Sequence, residues 1–147
     1  MRPALILDAA DGAGWLALLD GGRTLARRDW PALRDATARL PQLAADALAE
    51  ARTVPGALDF IAVVAGPGSF TGLRASLAFA HGLALASGAA LVPVAVDEAT
   101  QGGERTPGSV AGAAARRRAG LLPTLAALPI YAGPAQARAA PIRPAPA

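Results

Sequence analysis

Gly66-Pro67-Gly68-Ser69-Phe70-Thr71-Gly72-Leu73-Arg74 follows the apolar, β-branched run Phe60-Ile61-Ala62-Val63-Val64-Ala65 and precedes a proline-free stretch, residues 73–87, with apolar residues at helical spacing. The first run has the pattern of a strand buried on both faces. The stretch after it reads as a helix, with Gly88 as its left-handed terminator. Between them lies a tight strand-to-helix turn. Its three glycines and one proline describe a backbone that bends sharply and admits something at close range. A phosphate-binding loop of the Gly-Lys-Ser/Thr type is excluded, because the chain contains no lysine. Three occupants stay open: the protein's own sheet, an anion drawn to the helix N-terminus near Arg74, or a partner protein.

The helix after the turn has two unlike sides. At about 100° per residue, Arg74, Ala78, His81 and Leu85 form one stripe, flanked by Ala75 and Gly82. Leu73, Leu77, Phe79, Ala80, Leu83 and Ala84 occupy the opposite half and should face the sheet. The outward stripe is small and carries little charge, whereas a purely solvated face would carry more. It suits either a second helix of the same chain or a partner.

Working outward, residues 4–7 read as a central strand, residues 8–14 as a turn around Asp11-Gly12, residues 15–19 as the return strand and residues 23–30 as an edge strand after Gly21-Gly22. Residues 35–52 carry a helical apolar stripe, with Thr37 as the expected N-cap and Pro41 in the first turn. Residues 90–96 form one more buried strand, reached by a parallel crossover. The order is βββαβαβ, an α/β mixed sheet with helices packed on it. From residue 97 the texture changes: seven of the thirteen prolines fall in the last 51 residues. The expected division is therefore a folded lobe over residues 1–98 and a Gly/Ala/Arg/Pro-rich appendage over residues 99–147, partly disordered, with a possible helix over 111–128 and an extended end.

Composition narrows the chemistry. There is no cysteine and a single histidine, which excludes thiolate catalysis, disulfides and multi-histidine metal sites. Residues 1–96 hold eight arginines against eight carboxylates, so the net charge of +3 comes wholly from the later residues and the folded part is not a basic nucleic-acid surface. No signal-peptide pattern or membrane-length apolar run occurs, so a soluble cytoplasmic protein is expected. Asp8 ends the first strand, where sugar-kinase and actin-type folds keep a carboxylate near metal and phosphate; Ala9 and Ala10 follow it in place of phosphate-binding groups, so a turn-forming role weighs more than a cofactor-binding one. His81 reads as a contact or surface residue, and the Arg116-Arg117-Arg118 cluster as a solvated one, with phosphate contact as the lesser alternative.

The nine-residue turn, followed by a helix containing Gly82-Leu83-Ala84, resembles the signature of the TsaB (YeaZ) family. Leu5-Ile6-Leu7-Asp8, the Leu40-Pro41 helix and Pro93-Val94-Ala95-Val96 agree with it, and Leu128-Pro129-Ile130-Tyr131 with Pro134-Ala135-Gln136-Ala137-Arg138 is similar to the family's C-terminal segment. The sequence departs from the family at Ala9, often Thr, at His81, often Lys, and over residues 35–39, which lack the usual His-Ser. The resemblance implies the N-terminal lobe of an actin-like ATPase (ribonuclease H-like) fold, with the second lobe largely missing. It implies a non-catalytic dimerisation and activating subunit for N6-threonylcarbamoylation of adenosine 37 in ANN-decoding tRNAs. Its partner would be the transferase TsaD, or a second copy, with a TsaE-type ATPase joining, tRNA contacted only indirectly, and ATP and metal held by the partner. The interface would consist of Gly66, Pro67, Gly68, Ser69, Phe70, Thr71, Gly72, Leu73 and Arg74 with Ala78, His81 and Leu85. The alternatives are a small nucleotide-binding ATPase-like domain using Asp8, and a shortened copy without function.

Overall fold

The computed structural model describes residues 2–32 and 35–131. Five strands form one mixed sheet in the order β3-β2-β1-β4-β5. β1 (Ala4–Asp11), β2 (Ala13–Asp20) and β3 (Arg23–Trp30) make an antiparallel meander. β4 (Phe60–Gly66) and β5 (Ala90–Ala95) add in parallel on the other side of β1. The expected βββαβαβ chain order, the central place of β1 and the edge position of β3 hold, and the parallel pairing of β1 with β4 joins the meander to the crossover. The first turn is much shorter than expected: β1 continues through Ala9 and Ala10, Asp8 pairs with Trp15, and only Gly12, at φ +84°, turns the chain. A register shift between Asp8 and Asp11 absorbs the extra residues.

Alternation along the strands gives the sheet two buried faces. Leu5, Leu7, Leu16, Leu18, Ile61 and Val63 lie on one, under α1 (Leu40–Glu50) and α2 (Phe70–Ser87). Ile6, Ala17, Leu19, Ala62, Val64 and Val94 lie on the other. That second face is covered by α4 (Pro107–Arg118), through Val110, Ala113 and Ala114, with the short α3 (Val96–Ala99) beside it. Here the expected appendage needs correcting. Residues 107–118 are a helix of the lobe itself, and α3 crosses the expected boundary at residue 98. The reason is physical: a sheet apolar on both faces needs cover on both. The helix begins four residues earlier than expected because Thr106 caps it, accepting from the Ser109 amide at 3.1 Å while the Ser109 hydroxyl accepts from Thr106 N at 2.8 Å. It also ends at Arg118 rather than near residue 128. The expected extended end lies, from residue 132 on, outside the described residues.

The start of α1 also differs. Thr37 sits inside a 3-10 turn (Ala36–Arg39) and caps nothing; the N-cap is Arg39, with no side-chain bond. Pro41 is in the first turn as expected, and it explains the change, because it has no N–H to bond the carbonyl of Thr37. Leu40 N bonds that carbonyl instead, closing a 3-10 turn.

The glycine turn is occupied by the protein itself. Ser69 caps α2, its hydroxyl accepting from Gly72 N at 3.2 Å, and its own amide donates to Ala10 O at 2.6 Å. A Cβ on Gly68 would lie 2.2 Å from Ala10 O, and one on Gly72 2.2 Å from Ala9 O. The end of β1 is therefore what approaches. Gly72→Ala should lower stability by about 1–3 kcal/mol through overpacking, read from urea unfolding. Gly82→Ala, whose Cβ would meet nothing within 4 Å, should instead raise it by about 0.5–1 kcal/mol.

Candidate functional site

Two regions gather the residues singled out by the sequence. The first is the outer side of α2. Arg74, Ala78, His81 and Leu85 are all exposed, while Leu73, Leu77 and Ala80 are buried against the sheet. Within the turn, Pro67, Gly68, Phe70 and Thr71 are exposed, Ser69 is half-buried, and Gly66, Gly72 and Leu73 are buried. The buried three are therefore structural, and the accessible ones form a strip leading onto the helix. The Arg74 guanidinium lies 5.0 Å from the centre of the Phe70 ring.

That strip is not bare. Residues 127–131 run along α2 from His81 toward Phe70. His81 Nε2 lies 2.6 Å from Ala127 O, Ile130 N donates to Ala65 O at 2.7 Å, and Tyr131 stacks on Phe70 with ring centres 5.7 Å apart. Sequence spacing alone could not show this contact, and the sequence reading places these residues in the appendage.

The second region is an open cleft of about 560 Å³ where β1, β2 and β3 meet the loop before α4. Asp8 lies at its base, with only 4% of its side chain exposed. It is not turn-forming: it sits in β1, and its carboxylate is held by Arg105, whose Nε donates to Oδ2 at 2.7 Å and whose Nη2 bridges to Asp11 at 2.8 Å. Ala10 N donates to the same carboxylate at 3.1 Å. Burial opposes the Arg105 charge, but the hydrogen bonds to Asp8 and Asp11 outweigh it and hold its pKa above the ordinary arginine value. Arg105 thus sets a fixed cation against both Asp8 and Asp11. Among the described residues, no three His, Asp or Glu side chains are grouped to hold a metal ion.

The arginine cluster was expected to be solvated. Each member instead has a partner. Arg117 donates to Glu98 Oε1 and to Pro93 O, both at 2.8 Å; Arg116 donates to Glu98 O at 3.0 Å; Arg118 lies over the Phe60 ring and pairs with Asp59. Their place in the last turn of α4 also suits its dipole. Arg117 is the main cause, with a further bond from Ala95 N, that keeps the Glu98 carboxyl below the usual glutamate range. No described helix is long and apolar enough to cross a membrane.

Comparison with known proteins gives a consistent result. The family model described as "TsaD: tRNA N6-adenosine threonylcarbamoyltransferase" matches residues 31–110, more than half of the chain. YeaZ from Pseudomonas aeruginosa matches with 36% identity and a TM-score of 0.59, over 65% of this chain and 44% of that one. A crystal structure titled as an uncharacterized protein with similarity to peptidase YEAZ, also from Pseudomonas aeruginosa, matches with the same figures. The chain thus spans less than half the length of either. No curated protein matches.

Replacing Arg105 by Leu should cost about 3 kcal/mol, because it strands the buried Asp8 charge. The double variant with Asp8→Asn should lose less than the sum of the single losses in urea unfolding. For Glu98, whose pKa is depressed by folding, the stabilisation is present above its ordinary value of 4.5 and lost as pH falls through the lower folded value. Arg117→Met should therefore flatten the acid limb of a stability–pH profile.

Proposed function

Because the chain belongs to the TsaD family, as a TsaB (YeaZ)-like member built on the N-terminal lobe of the actin-like ATPase fold, we propose that it serves tRNA threonylcarbamoylation as a non-catalytic dimerisation and activating subunit. Its partner is a TsaD-type transferase, which supplies the ATP and metal chemistry, with a TsaE-type ATPase joining the assembly in the cytoplasm. The observation that carries the non-catalytic reading is the Arg105–Asp8 pair. A nucleotidase on this fold needs the carboxylate at the end of β1 available to a metal–phosphate, and here a side chain of the same protein has taken it. An ATPase-like role would require Arg105 to leave two carboxylates, one of them buried, which is costly.

The outer side of α2 is the docking surface in this reading. Ala78 lies at the middle of the exposed stripe, and its small side chain lets a second helix come close. Within the lobe, α4 covers the sheet face opposite α1 and α2, which leaves the outer side of α2 as the surface available to a partner. The test is co-purification with the transferase of the same cell. Ala78→Glu should abolish the complex without changing the melting temperature; an undiminished complex rejects this interface. In calorimetry, the isolated chain should show no micromolar binding of ATP with magnesium, and such binding would favour the enzymatic alternative.

A further inference from the structure

Residues 127–131 do more than terminate the described chain. Gly66, at φ +113°, has no room for a side chain because a Cβ there would lie 2.6 Å from Ile130 O. Together with the bond from Ile130 N to Ala65 O and the packing of Ala127 and Ile130 on the α1–α2 core, this makes the segment a fixed strap. The strap fills the flank of α2 and sets Tyr131 on Phe70, with Arg74 on that ring as well. The result is an exposed stack of a guanidinium and two aromatic rings, with Phe70 and Tyr131 each more than half accessible. Large side chains already ordered by stacking lose little freedom on binding, which is the character of an interface anchor.

We infer that the docking surface of this protein is composite, formed by α2 and the strap together, with Tyr131, Phe70 and Arg74 as its anchor, and that it fits an apolar protein surface bearing a carboxylate opposite Arg74. The inference rests on the reading of α2 as a docking face given above and adds the strap and the partner's chemistry to it. The charge pattern decides the chemistry. Neither α2 nor residues 120–131 contain a single Asp or Glu, and Arg74 forms no ion pair among the described residues. A second copy meeting this face with its own would bring arginine toward arginine with no carboxylate between them, so a different protein is the better fit.

The test titrates the full chain into the transferase of the same cell by calorimetry. Tyr131→Ala should weaken the complex by about tenfold or more, Tyr131→Phe should bind like the unaltered chain, and Arg74→Glu should weaken it further. Leu121→Ser, exposed but outside the stack, should leave binding unchanged. Thermal unfolding of Tyr131→Ala should match that of the unaltered chain, separating a lost contact from a lost fold. If Tyr131→Ala binds at full strength while Ala78→Glu does not bind, α2 acts alone, and the composite surface is refuted with the proposed function intact. If the unaltered chain does not bind the transferase, both readings fall. If the unaltered chain instead sediments as a dimer that Arg74→Glu dissolves, the face serves a second copy and the partner assigned here is wrong.

Discussion

The contact between the end of β1 and the first turn of α2 controls the geometry of everything useful in this protein. Two glycines, Gly68 and Gly72, allow the carbonyls of Ala10 and Ala9 to come within the space a methyl group would need. The Ser69 amide then bonds Ala10, and the Ser69 hydroxyl closes the helix end. This fixes the direction of α2, hence which of its residues meet the sheet and which face outward. The same contact commits the Ser69 amide to Ala10 O, while the Gly72 amide goes to the Ser69 hydroxyl.

A second constraint works at the opposite face. A sheet with β1 and β4 buried on both sides cannot remain half covered, and α4 supplies the missing layer. Its arginines, which look like surface charge in the sequence, hold the last turn of the helix against Glu98, Pro93 and Phe60. The loop leading into α4 brings Arg105 across to Asp8. Structural closure of the lobe and loss of a free carboxylate are thus one event: the loop that ties down the covering helix also delivers the cation.

The two regions of interest have opposite characters. In the cleft at Asp8 both arginines are already paired, Arg105 with Asp8 and Asp11 and Arg27 with Asp29, so neither is free to meet an anion. The α2 side keeps an arginine without a carboxylate, exposed aromatic rings and a row of small side chains. Polar groups already paired within a fold contribute weakly to new contacts, while unpaired charge beside rigid aromatic surface contributes strongly. That contrast is what supports the proposed role as a binding subunit.

Local spacing determined the βββαβαβ order of elements, the turn at Gly66–Arg74, the Gly88 terminator and the outward stripe of Arg74, Ala78, His81 and Leu85, because periods of two and 3.6 residues report directly which side of an element is buried. It misjudged the start of α1, where the missing N–H of Pro41 outweighed the capping preference of Thr37, and it set the last helix at residues 111–128 of an appendage, whereas α4 runs over residues 107–118 and packs on the sheet, a helix stabilised by packing more than by propensity. Only the tertiary structure decided the rest. Arg105 and Asp8 are separated by 97 residues, and residues 127–131 reach α2 from the far end of the chain. Such meetings depend on where the sheet places its ends, which no local pattern of residues records. The glycine turn itself shows both sides of this division: its three glycines announce a close approach, but only the fold identifies β1 and Ile130 as what approaches.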